Sequence, residues 1–201
     1  MLANKKIIFA RGCEFFKHSE FEEILVEIDE AIIAVTWGHE TKFHIKPIRR
    51  GNGVVPIKAN FVKHLVSKGW LPEQRMSFTS GINPGPVDVL KKTSAGVFVV
   101  EWETGNISSS HRALNKIAIG IQQKSIIGGI LILPDRVLAN YLTDRIGNFE
   151  EIEPYFPLYE SIVQEGIMGV YSVTFDSDEF DIVAEDPPLI PKGKDGNAKK
   201  Y

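Results

Sequence analysis

The sequence predicts an α/β domain built on a central mixed β-sheet with helices on both faces, and three observations carry that expectation. Residues 97–103 form a β-branched and aromatic run. A shorter run at Val87, Val89 and Leu90 precedes it across the turn-forming stretch 91–96, as an antiparallel hairpin requires. Ala113, Leu114, Ile117, Ala118 and Ile121 then recur at helical spacing, and a nearly unbroken apolar run follows at Ile126, Ile127 and Ile130 to Leu133. Such a run suits a strand covered on both faces, so strand, helix and strand in succession make part of the sheet parallel. Far upstream, helical spacing at Phe21, Ile24, Leu25, Ile28 and Ile32 supplies a helix for the second face.

With 201 residues, 43% of them hydrophobic and 24% charged, the chain is sufficient for one domain. That domain is expected over residues 1–186, with a flexible Pro-, Gly- and Lys-rich arm at 187–201 that buries too little to order by itself. A net charge of −3 does not advertise a nucleic-acid binder, so any such surface must come from local clustering. Cys13 is the one cysteine and cannot form an internal disulfide, which fits a reducing compartment. No uncharged apolar run is long enough to span a membrane, and residues 5–10 are too short for a signal peptide, so a cytoplasmic location is expected.

In chain order, Ser19 and Glu22 form a capping box for the first helix, whose apolar positions continue to Val35, with His18 beside it as a surface residue. Residues 37–48 read as mixed strand or loop, with His39 and His44 solvated. Lys46, Arg49 and Arg50 lead to the turn Gly51-Asn52-Gly53. Pro56 then opens a helix carrying Ile57, Phe61, Val62 and Leu65, stopped at Gly69. This basic stretch is either a solvated loop or, through Lys58 near the helix start, a contact to phosphate. Glu73 follows in Trp70-Leu71-Pro72-Glu73, ahead of a Gly- and Pro-rich connection at 80–86, and taken alone is an ordinary exposed acid. Beyond the central apolar strand, Pro134 allows a helix with Val137, Leu138, Tyr141 and Leu142 on its apolar side. Asp144 and Arg145 would ordinarily be a helix-end charge pair. Asn148 and Glu151 form a cap-like pair, and Pro154 and Pro157 limit any helix after it. Residues 168–175 are the last strand. The acidic run 176–181 reads as a solvating surface, since it lacks the Gly and terminal Glu of a calcium loop.

The chemistry concentrates at 86–112. Alternation puts Val97, Val99, Glu101 and Glu103 on one face of their strand, and a turn centred between Ser94 and Ala95 sets Asp88 opposite Glu101. Like charges so placed repel. A divalent cation with oxygen ligands turns that repulsion into coordination, and Mg²⁺ needs only one or two carboxylates beside phosphate oxygens and water. Gly105 breaks the strand and Asn106, Ser108 and Ser109 are capping types, so a helix N-terminus faces the acids. Its free N–H groups bind anions, and Asn106, Ser108, His111 and Arg112 add donors for phosphates or base edges. A strand ending Glu-x-Glu is equally a solvated strand end. Asp88 and the cap-rich helix start bring the catalytic reading level with that one, and carboxylate–metal chemistry beside a polar helix end suggests phosphodiester hydrolysis.

Five blocks, GNGVVPIK, GPVDV, VEWETGNISSSHRALNK, NYLTDRIGNFEEIEPYF and PPLIPKGKDG, lie in that order from about residue 52 onward. Together they resemble the BamHI-like restriction endonucleases of the PD-(D/E)xK nuclease superfamily. The resemblance implies that fold and a Mg²⁺-dependent type II enzyme of the bacterial cytoplasm. It would act as a homodimer on a palindromic site in double-stranded DNA, without a nucleotide cofactor. It implies Asp88 and Glu101 as the principal metal ligands, Glu73 assisting a second ion, and the Trp102 main-chain carbonyl as a further ligand. Glu103 would be the general base or water-positioning group, where most of the superfamily carries lysine. Lys58 would contact the DNA backbone, and Asn106, Ser108, Arg112, Asp144 and Arg145 would read bases. Gly193, Asp195 and Gly196 would lie in a minor-groove arm. The implied site is GGATCC, cut after the first G to leave a four-base 5′ overhang. The helix over 113–121 and the segment near 149–155 would form the dimer contact. Two other readings share the acidic cluster: a different DNA nuclease of the superfamily, or a specific DNA-binding protein that does not cut.

Overall fold

The chain opens with β1 (Leu2–Arg11), followed by α1 (Ser19–Ile33), α2 (Val55–Ser67) and the short strand β2 (Leu71–Arg75). The hairpin strands β3 (Pro86–Thr93) and β4 (Gly96–Trp102) lead to α3 (Ile107–Gln122) and β5 (Gly128–Pro134). Three short helices, α4 (Arg136–Tyr141), α5 (Phe149–Ile152) and α6 (Phe156–Ile162), precede β6 (Gly166–Thr174). The computed structural model describes residues 1–76, 84–143, 145–176 and 186–192. Among these residues the strands make a six-stranded sheet in the order β1-β6-β5-β4-β3-β2.

β4, β5 and β6 run parallel at the centre, and β1 and the β3–β2 pair close the edges antiparallel. All seven residues of β5 are buried, as its unbroken apolar run demands. α1 and α2 cover one face through Phe21, Ile24, Phe61 and Leu65, while α3, α5 and α6 cover the other through Leu114, Ile117, Ile152 and Tyr159. This is the predicted mixed sheet with helices on both faces.

Local chemistry explains most boundaries. Asn106 caps α3 by accepting from the Ser109 N–H at 3.1 Å, and Asn148 and Glu151 form a full capping box at α5. Other expectations are corrected. α1 begins at Ser19 itself, with His18 as the capping residue and no side-chain cap bond. The preceding turn Glu14–Lys17, on which His18 stacks through Phe15, feeds the chain into the helix one residue earlier than a Ser19 cap would. Pro154 and Pro157 do not end the helical region. Each sits in the first turn of a new short segment, where a missing N–H costs nothing. His44 is half buried rather than solvated: its Nε2 is out of water with no hydrogen-bond partner among the described residues, and desolvation lowers its pKa. β1 and β2 were not legible as strands. β1 carries Asn4, Lys5 and Lys6 in its first half, and β2 reads Leu-Pro-Glu-Gln-Arg with every residue exposed, so both owe their conformation to the strand beside them.

The stretch expected to be free from residue 187 is packed over its first residues. Ile190 is 1% exposed, its N–H donates to Asn52 Oδ1, and its carbonyl accepts from the Gly53 N–H at 2.7 Å. The Trp37 indole donates to the Pro188 carbonyl at 2.6 Å. Gly53 is required here, because a Cβ would come within 1.8 Å of the Pro191 carbonyl oxygen. The acidic run at 177–181 and the arm residues Gly193, Asp195 and Gly196 lie outside the described residues, as does Asp144.

Candidate active site at the end of the hairpin

The β3–β4 hairpin pairs Thr93 with Gly96 and Val89 with Val100, so the turn is centred on Ser94 and Ala95. One residue further along the same register stand Asp88 and Glu101. Backbone pairing ends before them, and their side chains take over its donors. The Asp88 N–H donates to Glu101 Oε2 at 3.3 Å, and the Trp102 N–H donates to Asp88 Oδ2 at 2.8 Å. The two acids are thereby held face to face by the strand ends they interrupt.

On the other side of β3, β2 pairs Pro72 with Val89 and Gln74 with Val87, which leaves Glu73 across from Asp88. Glu73, Asp88 and Glu101 thus occupy one cross-strand row. The Glu73 backbone is left-handed, at φ 48°, a conformation that a side chain tolerates only where the surroundings impose it. Glu103 lies just past the end of β4. Its N–H donates to the Ile132 carbonyl at 2.9 Å and its Oε1 accepts from the Gly105 N–H at 2.7 Å.

Two lysines reach the acids. Lys58 of α2 pairs with Asp88 Oδ1 at 2.5 Å. That helix is seated by Phe61, whose ring lies 4.6 Å from the Trp102 ring, so the packing that anchors α2 to β4 also delivers Lys58. Lys116 of α3 donates to Glu101 Oε1 and to the Pro86 carbonyl, the latter at 2.7 Å. Even so, burial first and the charge of Asp88 second push the Glu101 carboxyl up to about 7, outweighing Lys116 and Lys58.

Sequence reasoning missed Lys116. The available signal was a charge inside an apolar stripe, since Ala113, Lys116, Ile117 and Gly120 fall on one helical face and all are buried.

The donor set suits a hard divalent cation: carboxylate oxygens crowded together, with a charge repulsion that such an ion would relieve. Among the described residues no three His, Cys, Asp or Glu side chains gather as an ion-holding group. Asp88 and Glu101 are the two brought into contact, and two carboxylates are what Mg²⁺ commonly takes when phosphate and water complete its shell.

Asn106, Ser108 and Arg112 are exposed at the N-terminal end of α3, Asn106 with its Oδ1 already engaged as the cap. Arg145 is exposed, with φ 64°. Its loop is fastened to this end by the Gly147 N–H, which donates to the Gly105 carbonyl at 2.8 Å. A Cβ on Gly147 would stand 2.9 Å from Ile107 Cα, so only glycine allows the loop to approach α3 so closely. Arg145, Asn106, Ser108 and Arg112 therefore belong to one polar edge, adjoining the acids through Gly105 and Glu103. No helix among the described residues is long and apolar enough to cross a membrane.

A family model described as restriction endonuclease BamHI matches residues 1–197. The type II restriction enzyme OkrAI of Oceanobacter kriegii is 45% identical over 177 residues, covering 87% of this chain and 89% of that enzyme. The type II restriction enzyme BamHI of Bacillus amyloliquefaciens is 36% identical over 183 residues, covering 87% of this chain and 82% of that one. In fold, the chain is similar to restriction endonuclease BglII complexed with a DNA 16-mer. The TM-score is 0.62 at 11% identity, over 88% of this chain and 81% of that one.

Proposed function

The chain belongs to the BamHI family of restriction endonucleases, and from that premise we propose that it makes Mg²⁺-dependent double-strand cuts at GGATCC. It is a type II restriction enzyme, like the relatives it resembles. The observation that carries the chemistry is the contact of Asp88 with Glu101 beside the N-terminal edge of α3.

Asp88 and Glu101 would hold the first ion, with Glu73, in the same cross-strand row, assisting a second. The Trp102 carbonyl is a further ligand by resemblance. It accords with the Trp102 N–H pointing at Asp88, because the N–H and C=O of one strand residue face the same side. When bound, such ions supply charge neutralisation for the attacking and leaving oxygens and a lower pKa for the attacking water.

The residues of the chain do the rest. Glu103, oriented by the Gly105 N–H, accepts the proton of the attacking water or positions that water. Lys58 contacts a backbone phosphate, exchanging Asp88 for an anion of the substrate. Asn106, Ser108, Arg112 and Arg145 read base edges from their shared polar edge, with Arg suited to guanine O6 and N7. Asp144 and the arm residues Gly193, Asp195 and Gly196 are assigned by family resemblance alone, the first to a cytosine amino group and the others to the minor groove. Each subunit of a homodimer reads half of the palindrome. Exposed Tyr155 and Leu158 beside α3, with His111 packed edge-on against Tyr155, support a dimer contact on that flank.

The test is digestion of plasmid DNA with Mg²⁺ and with EDTA, followed by sequencing of the product ends. Mg²⁺-dependent fragments with GATC overhangs at GGATCC are expected. Cutting elsewhere would overturn the base-reading assignment, and specific binding without cutting would overturn the catalytic one.

A further inference from the structure

One buried charge has no part in the reaction just described. Lys116 lies in the apolar stripe of α3 between Ala113 and Gly120, where helix–sheet packing alone calls for an apolar side chain and an ammonium has to be desolvated. Packing therefore does not account for a lysine there. Its partners do. One bond goes to Glu101 on β4 and the other to the Pro86 carbonyl on β3, so a single ammonium ties α3 to both strands of the hairpin.

It does so where the hairpin is weakest. Among the described residues the last backbone pair is Val89 with Val100, and beyond it the strand ends are joined through the side chains of Asp88 and Glu101 and through Lys116. An ion that draws on the carboxylate oxygens competes for those side-chain bonds. The bond from Lys116 to Glu101 Oε1 leaves Oε2, the oxygen turned to the Asp88 N–H, on the side shared by the two acids.

We infer that Lys116 is a positioning residue that fixes the Glu101 carboxylate and the spacing of the two strand ends for ion binding. The inference rests on the reading of Asp88 and Glu101 as the ion-holding pair. Ser108, Arg112 and Lys116 follow one another at four-residue spacing, so the helix that offers polar groups at its exposed end is pinned at the next turn to the acid. Groups that orient a ligand side chain typically account for about 10- to 100-fold in metal affinity or activity.

The experiment uses the full chain, wild type and Lys116→Met. Mn²⁺ binding is measured directly by the loss of its free electron-paramagnetic signal, and duplex cleavage is titrated with Mg²⁺. Expected is an ion affinity weakened about 10- to 100-fold, a matching rise in the Mg²⁺ needed for half-maximal cleavage, and metal-free duplex affinity within about twofold of wild type. If Lys116→Met does not fold by circular dichroism, Lys116→Arg carries the same titrations, because it keeps the charge but displaces the donors. Wild-type ion affinity and Mg²⁺ dependence in the variant would overturn the inference. A wild-type chain that binds Mn²⁺ tightly, with the variant weakened but neither cutting DNA, would leave the inference standing and overturn the proposed function instead. Absence of Mn²⁺ binding by the wild-type chain would overturn the inference, while the proposed function would still be decided by Mg²⁺-dependent cleavage of the duplex.

Discussion

Lys58 with Asp88 and Lys116 with Glu101 are chemically the same pair, set side by side at one hairpin end, and they differ in burial. The side chains of the first are 45% and 14% exposed, those of the second 9% and 7%. An exposed ion pair contributes about 0.2–1 kcal/mol and exchanges readily with water or another anion. A buried one adds little net stability over an apolar pair, yet removing one partner strands the other. The site thus has an exchangeable half, facing the side from which DNA would arrive, and a fixed half built into the helix–sheet interface. The same ammonium–carboxylate chemistry does different work because the dielectric around the two pairs differs.

The comparison breaks first if the two acids are not both needed. Asp88→Asn and Glu101→Gln should each reduce the cleavage rate roughly 1000-fold or more, since losing an ion ligand removes several kcal/mol of transition-state stabilisation. A wild-type rate in either variant, measured in single-turnover digestion of a cognate duplex, would show that half to be structural only.

Stability should separate the two lysines next. Lys116→Met is expected to cost about 3 kcal/mol, at the low end for breaking a buried pair because the stranded Glu101 can take up a proton. Lys58→Met should cost less than about 1 kcal/mol. Urea unfolding of the metal-free chains measures both, and equal losses would remove the distinction.

The smallest effect is on pH dependence. Burial and Asp88 raise the Glu101 carboxyl from its ordinary 4.5 to about 7, so between those values the folded chain holds a proton that the unfolded chain has released. The stability contributed by this group is therefore fully present below pH 4.5 and lost as pH rises through about 7. Melting of the metal-free wild type across that window should decline more steeply than that of Glu101→Gln. Parallel curves would indicate that the acid is not held against its charge.

Particular residues show how far the sequence could be read. The Ser94-Ala95 turn and period-two alternation were enough to set Asp88 against Glu101, because a two-residue turn in an antiparallel hairpin leaves only one register. Asn106 announced the start of α3 for a similarly local reason. β2 was invisible, since Leu-Pro-Glu-Gln-Arg has no strand preference of its own and becomes a strand only by adding to β3. With it went the reason Glu73 lies level with Asp88. Lys116 escaped notice because its partners, Pro86 and Glu101, lie 30 and 15 residues earlier.

The sequence by itself determined the elements whose signals are local: the hairpin and its register, the capped start of α3, the buried central strand, and the family to which the five motif blocks belong. Only the tertiary structure decided which lysine is buried and which is exposed, which edge strand carries Glu73, and that the stretch after residue 186 packs back, Pro188 on Trp37 and Ile190 on the Asn52 turn. Propensity, turns and caps act over a few residues. Burial and edge pairing are properties of surfaces formed by segments far apart in the chain, and neither exists until those segments meet.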